Sequence, residues 1–166
     1  MGIQVNIYKQ KERGVFMSRT KEYIKVTQVT LADVKAARRA QYEMRRYGLK
    51  SVPDESRLFD ALNGISQIIA VVSLVFGVGS VAALAGTVCE IASSLSFSSR
   101  EELKNILAMG EDGLAELEYY FEDYPKVEAI RVKMGYLDYI DDGVRFIQHT
   151  SKNYIEEHKI DGRWRV

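Results

Sequence analysis

Apolar and polar positions recur along this chain with three different periods. At the N-terminus Ile3, Val5 and Ile7 alternate with Gln4, Asn6 and Tyr8, the period of two expected of a strand. The polar run Lys9, Gln10, Lys11, Glu12, Arg13, Gly14 reads as a turn. Residues 15–17 and 22–29 are further strand candidates, because Ile24 and Val26 alternate with Lys25 and Thr27. Residues 1–29 therefore predict a small β-hairpin or three-stranded meander that leans on the rest of the fold, since so small a sheet is not stable alone.

From Thr30 the period changes to that of a helix. Thr30 suits an N-cap, and Asp33 stands three residues on, where a carboxylate reaches back to the cap. This helix is expected to run to about Tyr47, with Gly48 as its stop, so that residues 30–50 form a basic helix with a thin apolar stripe of Leu31, Val34, Ala37 and Met44. Pro53 and Asp54 open the next helical stretch. Residues 54–97 read as an apolar helix or helical hairpin. Ser99 and Glu102 have capping-box spacing, and Leu103, Ile106, Leu107, Leu114, Leu117, Phe121 and Tyr124 follow at helical intervals, with Gly110 and Gly113 weakening the middle. Beyond Pro125, the residues Val127, Ile130, Met134, Leu137, Ile140, Val144, Ile147 and Tyr154 fall on one stripe of three-and-four spacing, so residues 99–158 are expected to form two amphipathic helices. Ile160, Trp164 and Val166 alternate with charged residues after the Asp161-Gly162 turn, which suggests a terminal strand over 159–166. The expected fold is mainly α. It is a bundle of about four to five helices around a central apolar helix or hairpin, with a small N-terminal β-hairpin and a short C-terminal strand, in one domain.

Residues 61–89 dominate that picture. They hold no charged side chain, and Asp60 and Glu90 bracket them. As one helix they would span about 43 Å, more than the roughly 30 Å hydrocarbon core of a bilayer. One tilted crossing fits and two do not, while a buried or partly inserted hairpin turning at Gly77-Val78-Gly79-Ser80 also fits. Small residues at four-residue intervals, Gly79 with Ala83 and Ala82 with Gly86, make a flat strip that admits another helix closely. Gly77, Gly79, Ala82, Ala83 and Gly86 are therefore the candidate helix-packing strip. Gly77 to Ala82 also matches a dinucleotide-binding glycine pattern, but no second strand with a terminal acid follows it, so nucleotide binding is not expected.

Charge sharpens the reading. The formal net charge of zero is a cancellation: residues 1–57 carry 13 Lys/Arg against 6 Asp/Glu, and residues 98–166 carry 10 against 15. Lys35, Arg38, Arg39, Arg45 and Arg46 make the helix at 30–50 a candidate basic surface, for anionic head groups or for the acidic C-terminal third. A single cysteine, Cys89, excludes a disulfide within the chain and reads as a small hydrophobe. His149 and His158 are the only histidines, and their spacing does not make a metal site. The carboxylate-rich stretch at 111–142 reads as a solvated acidic face. Asp141-Asp142-Gly143 lacks the spaced oxygen ligands of a calcium loop, and no nucleophile elbow is present.

No catalytic residue, metal or cofactor is expected. The plan of an apolar hairpin among amphipathic helices is similar to that of pore-forming toxin domains and apoptosis regulators, but the chain carries none of their motifs, so the similarity implies nothing about activity. The expectation is a non-enzymatic membrane-interacting protein. It inserts or anchors through the apolar segment with its basic N-terminal part in the cytoplasm, and it self-associates. The alternative is a soluble structural or assembly subunit of a larger complex, of phage-particle or secretion-machine type, with the hairpin buried. Membrane lipid and homo- or hetero-oligomeric protein contacts are the expected partners. Nucleic acid is not, and no small-molecule substrate is identified.

Overall fold

Helices fill the middle of the chain and strands fill both ends. The computed structural model describes residues 7–13 and 16–166, with side chains from residue 19 onward. The order is β1 (Ile7–Arg13), β2 (Phe16–Val29), α1 (Leu31–Glu43) continued by a π-helical turn (Met44–Gly48), α2 (Glu55–Asn63), α3 (Ile68–Leu74), α4 (Val81–Ser94), α5 (Phe97–Asp123), β3 (Ala129–Tyr139), β4 (Val144–His149), a 3-10 turn (Lys152–Tyr154), β5 (Ile155–Ile160) and β6 (Arg163–Arg165). The strands form one antiparallel sheet in the order β1-β2-β3-β5-β6, curled into a half-barrel. Strands β4 and β5 lie end to end on the second edge of β3: β4 pairs with Gly135 to Tyr139, and β5 with Ala129 to Val132.

This mixed fold overturns the mainly α bundle expected from the pattern. The predicted last helix, with Val127, Ile130, Met134, Leu137, Ile140, Val144, Ile147 and Tyr154 on one stripe, is instead β3, β4 and β5 with their connections. Ile130, Val132, Met134 and Tyr136 do alternate as buried positions of a strand, but Leu137 and Tyr139 on the other face are buried as well. Burial on both faces blurs a period of two into something that resembles three-and-four spacing. The stretch is rich in Ile, Val and Tyr, and Gly143 at φ +71° closes the turn between β3 and β4.

The N-terminal β element is also larger than expected. Ile3 and Val5 lie outside the described residues, but the Lys9–Arg13 run read as a turn belongs to β1. β2 is one strand of 14 residues, whose Thr20 to Val29 portion pairs with β3 in the interior of the sheet.

The helical starts follow their caps. Asp33 N donates to Thr30 Oγ1 (3.2 Å) and Thr30 N to Asp33 Oδ2 (3.0 Å), the expected capping box. Helix α5 starts three residues earlier than predicted, with Ser96 rather than Ser99 as cap. The uncharged block is broken twice: at Gly64 to Gln67, where Gln67 has φ +72° and α3 turns by 112° from α2, and at Gly77, with φ +70°. Among the described residues no single helix is long and apolar enough to cross a membrane.

Backbone contact between α5 and the outer edge of β4 joins helices to sheet. A Cβ on Gly110 would stand 1.9 Å from the Ile147 carbonyl oxygen, and one on Gly113 2.4 Å from that of Thr150. The edge itself is satisfied by the fully buried Gln41 of α1. Its Nε2 donates to Ile147 O (3.0 Å) and Leu107 O (3.1 Å), and its Oε1 accepts from Ile147 N (2.7 Å). Two residues away, Arg145 N donates to Phe76 O (3.1 Å). The glycines that weaken α5 as an isolated helix are thus what lets it approach the sheet. Gly110→Ala is expected to lower stability by roughly 2–4 kcal/mol in urea denaturation, because the added methyl meets backbone that cannot rotate away. Gly79→Ala, with nothing within 4 Å of its Cβ, is expected to leave stability unchanged or raise it slightly.

Candidate interaction site

The basic helix and the acidic third meet inside one chain. Arg38 and Arg45 are seven residues apart, two helical turns, and so are Glu111 and Glu118 on α5. The matched spacing makes two parallel ion pairs. Arg45 holds Glu111 through Nε–Oε2 (2.5 Å) and Nη2–Oε1 (2.8 Å), and Arg38 Nε lies 2.5 Å from Glu118 Oε2. Arg39 pairs with the buried Glu43 one turn on (3.0 Å). Tyr42 lies between two of these arginines, with the Arg39 and Arg45 guanidinium carbons each 5.5 Å from its ring, and Arg46 lies 4.8 Å from the Tyr47 ring. Between the pairs is a cleft of about 440 Å³, with Lys35, Arg38, Arg39 and Tyr42 on one wall and Glu111, Asp112 and Glu118 on the other. The hydrogen bond to Glu111 raises the Arg45 pKa further. Burial pushes the Glu118 carboxyl above its ordinary range, against the lowering effect of Arg38 and Lys35. Three of the five arginines and lysines of the predicted basic surface, Arg38, Arg39 and Arg45, are therefore engaged in ion pairs with the chain's own acids, while Lys35 and Arg46 are exposed.

The predicted packing strip is spread over different settings. Gly77 turns the chain beyond α3 and faces Arg145, whose Nε and Nη2 donate to Val75 O (2.7 Å) and Leu74 O (2.8 Å) and so close the end of that helix. Gly79 stands in open space, Ala82 and Ala83 are exposed on α4, and Gly86 is half-buried, with Glu55 Oε1 3.1 Å from where its Cβ would be. Within the strip Gly86 faces Glu55 of α2, while Gly79, Ala82 and Ala83 face outward. What fills the core is the other side of the same segment: Val71, Val75, Phe76, Leu84, Ala85, Val88, Ile91 and Ala92 are all buried.

The outer side of the hairpin that α3 and α4 make exposes Ile69, Ala70, Ser73, Leu74, Gly79, Ala82 and Ala83, with Ile69 82% exposed. No charged residue belongs to this stretch. Ile69 and Leu74 were not singled out in the sequence, because a continuous apolar run does not show which of its residues face outward.

Cys89 is buried on α4, and burial, reinforced by Glu55 and Asp54, pushes its thiol up to about 11. His149 bonds Tyr154, and His158 sits in β5. Among the described residues no group of three or more His, Cys, Asp or Glu side chains stands together as a metal site. Comparison with protein-family models, with curated proteins and with solved structures finds no match for this chain.

Removing Arg45 leaves the largely buried Glu111 without its bidentate partner. Arg45→Ala is expected to cost about 1–3 kcal/mol in denaturant unfolding, against no more than about 0.5 kcal/mol for the exposed Arg46→Ala. At pH 8 only about a thousandth of Cys89 is thiolate in the folded chain. A thiol reagent such as a disulfide dye should therefore react slowly with the native protein and rapidly in denaturant. Because the folded pKa is raised, the Cys89 contribution to stability is complete below the ordinary thiol pKa and is lost as pH climbs toward 11.

Proposed function

We propose that this protein is a non-enzymatic assembly subunit that docks on a protein partner through the outer face of the α3–α4 hairpin. The observation that carries this reading is the uncharged, exposed surface of Ile69, Leu74, Ala82 and Ala83 on a segment whose other side is locked into the core. Large apolar side chains left exposed on an uncharged segment, Ile69 above all, are the composition of an interaction site. Its small residues suit the close approach of a second helix. Residues 69–83 carry no Trp, Lys or Arg of their own, of the kind that flank the apolar face of a helix resting on a bilayer, and the neighbouring Arg145 is bonded to the Leu74 and Val75 carbonyls, which favours a protein partner over lipid.

The test is the native size of the tagged chain in extracts of its own cells, before and after Ile69→Asp. The wild-type chain is expected in a complex heavier than one 18.9 kDa chain, and the variant as a single chain with unchanged melting temperature. A wild-type chain that runs alone overturns the reading. Flotation of the purified chain with anionic liposomes, abolished by the same substitution, transfers the face to the membrane-interacting function.

A further inference from the structure

A second feature lies on the sheet, away from the hairpin. Where β4 hands over to β5 along the edge of β3, the register slips on both sides. Tyr136 pairs with Ile147 but Gly135 with His149, and Arg131 pairs with Glu157 but Val132 with Ile155, so Gln148 and Glu156 are bulged residues. Between the two ladders the chain leaves the edge. Thr150 Oγ1 donates to Lys133 O (3.1 Å), and Ser151 caps the 3-10 turn that ends at Tyr154. This detour returns Tyr154 beside His149. The phenol oxygen lies 3.0 Å from His149 Nε2, and the two rings meet edge to face, 5.2 Å between centroids.

The sheet register places Ile24, Gly135 and His149 in a row across β2, β3 and β4. Cross-strand partners share a face, and the central member of the row has no side chain. Two strand spacings put the outer backbones about 10 Å apart. A slot of about 210 Å³ results, lined by Ile24, Lys133, Gly135, His149 and Tyr154. Gly135 keeps it open, since a Cβ there would stand 3.3 Å from His149 Cβ. Lys133, two residues along β3 and on the same face, brings an ammonium to the slot. Its partner Glu156 is 3.4 Å away and both side chains are about a third exposed, an ion pair loose enough to share its cation. Bulges that re-aim side chains are characteristic of binding sites, and an apolar slot with a few polar groups is the usual form of a small-ligand site.

We propose that this slot binds a small monocyclic aromatic carboxylate. The ring lies between Ile24 and the His149–Tyr154 pair over Gly135, and its carboxylate meets the Lys133 ammonium. The proposal stands apart from the α3–α4 surface and does not depend on it.

Benzoate is the probe, with benzyl alcohol as its uncharged counterpart, each titrated into the full chain while backbone amide signals are followed by NMR. Saturable shifts centred on Gly135 and His149 are expected in the millimolar range or below. Lys133→Met should weaken benzoate about tenfold and leave benzyl alcohol unchanged. Gly135→Val should abolish both, and Ile24→Trp, which fills the slot from β2 without touching Gly135, should do the same if the valine variant does not fold. Absence of saturable shifts with wild-type protein, or benzoate binding indifferent to Lys133→Met, overturns the proposal.

Discussion

The outer edge of β4 is the constraint on which the rest of this structure depends. A strand edge inside a protein must have its amide and carbonyl groups met, or each costs on the order of 1–3 kcal/mol. Among the described residues no further strand meets them. The side-chain amide of Gln41 takes that place at Ile147, the Phe76 carbonyl takes it at Arg145, and α5 is drawn in until Gly110 touches the backbone at Ile147 and Gly113 that at Thr150, one residue past the strand. Three parts of the chain far apart in sequence, α1, the α3–α4 connection and α5, are tied to one strand in this way. The helical layer and the curled sheet are consequently one body around one core.

The charge asymmetry serves the same joint. Arg38 and Arg45 reach Glu118 and Glu111 across the α1–α5 contact, so the basic helix and the acidic third meet in two ion pairs within one molecule. Two of the five predicted basic-surface residues, Arg38 and Arg45, thus brace α1 against α5, and Arg39 pairs within α1. Arg145 does comparable work on the other side, closing the end of α3 and lying 5.0 Å from the Tyr136 ring.

With Arg38, Arg39 and Arg45 engaged, two further features remain open to interaction. The α3–α4 hairpin keeps one side in the core and offers the other as an uncharged face, and the break between β4 and β5 opens a slot walled by side chains from β2, β3 and β4 and by Tyr154. One feature suits a protein surface and the other a small flat ligand. Both arise where regular structure is interrupted: at the glycine turn beyond α3, and at the two bulges of β4 and β5 against β3.

Local signals along the chain were sufficient for the Thr30–Asp33 cap, the existence of α5, the turn at Gly77 and the burial of Cys89. Each depends on residues within a few positions of one another. The fate of residues 125–160 was not legible. Their buried positions satisfy a strand covered on both faces as well as a helix stripe, and only the partners supplied by β2 decide between them. Gly110, Gly113 and Gln41 carry no local sign of their roles, because those roles are contacts with backbone 37 to 106 residues away. The uncharged block was plain from the order of residues alone. Which of its sides faces inward was set by α1, α2 and the β4 edge packing against it, since an apolar run has no polarity by which to orient itself.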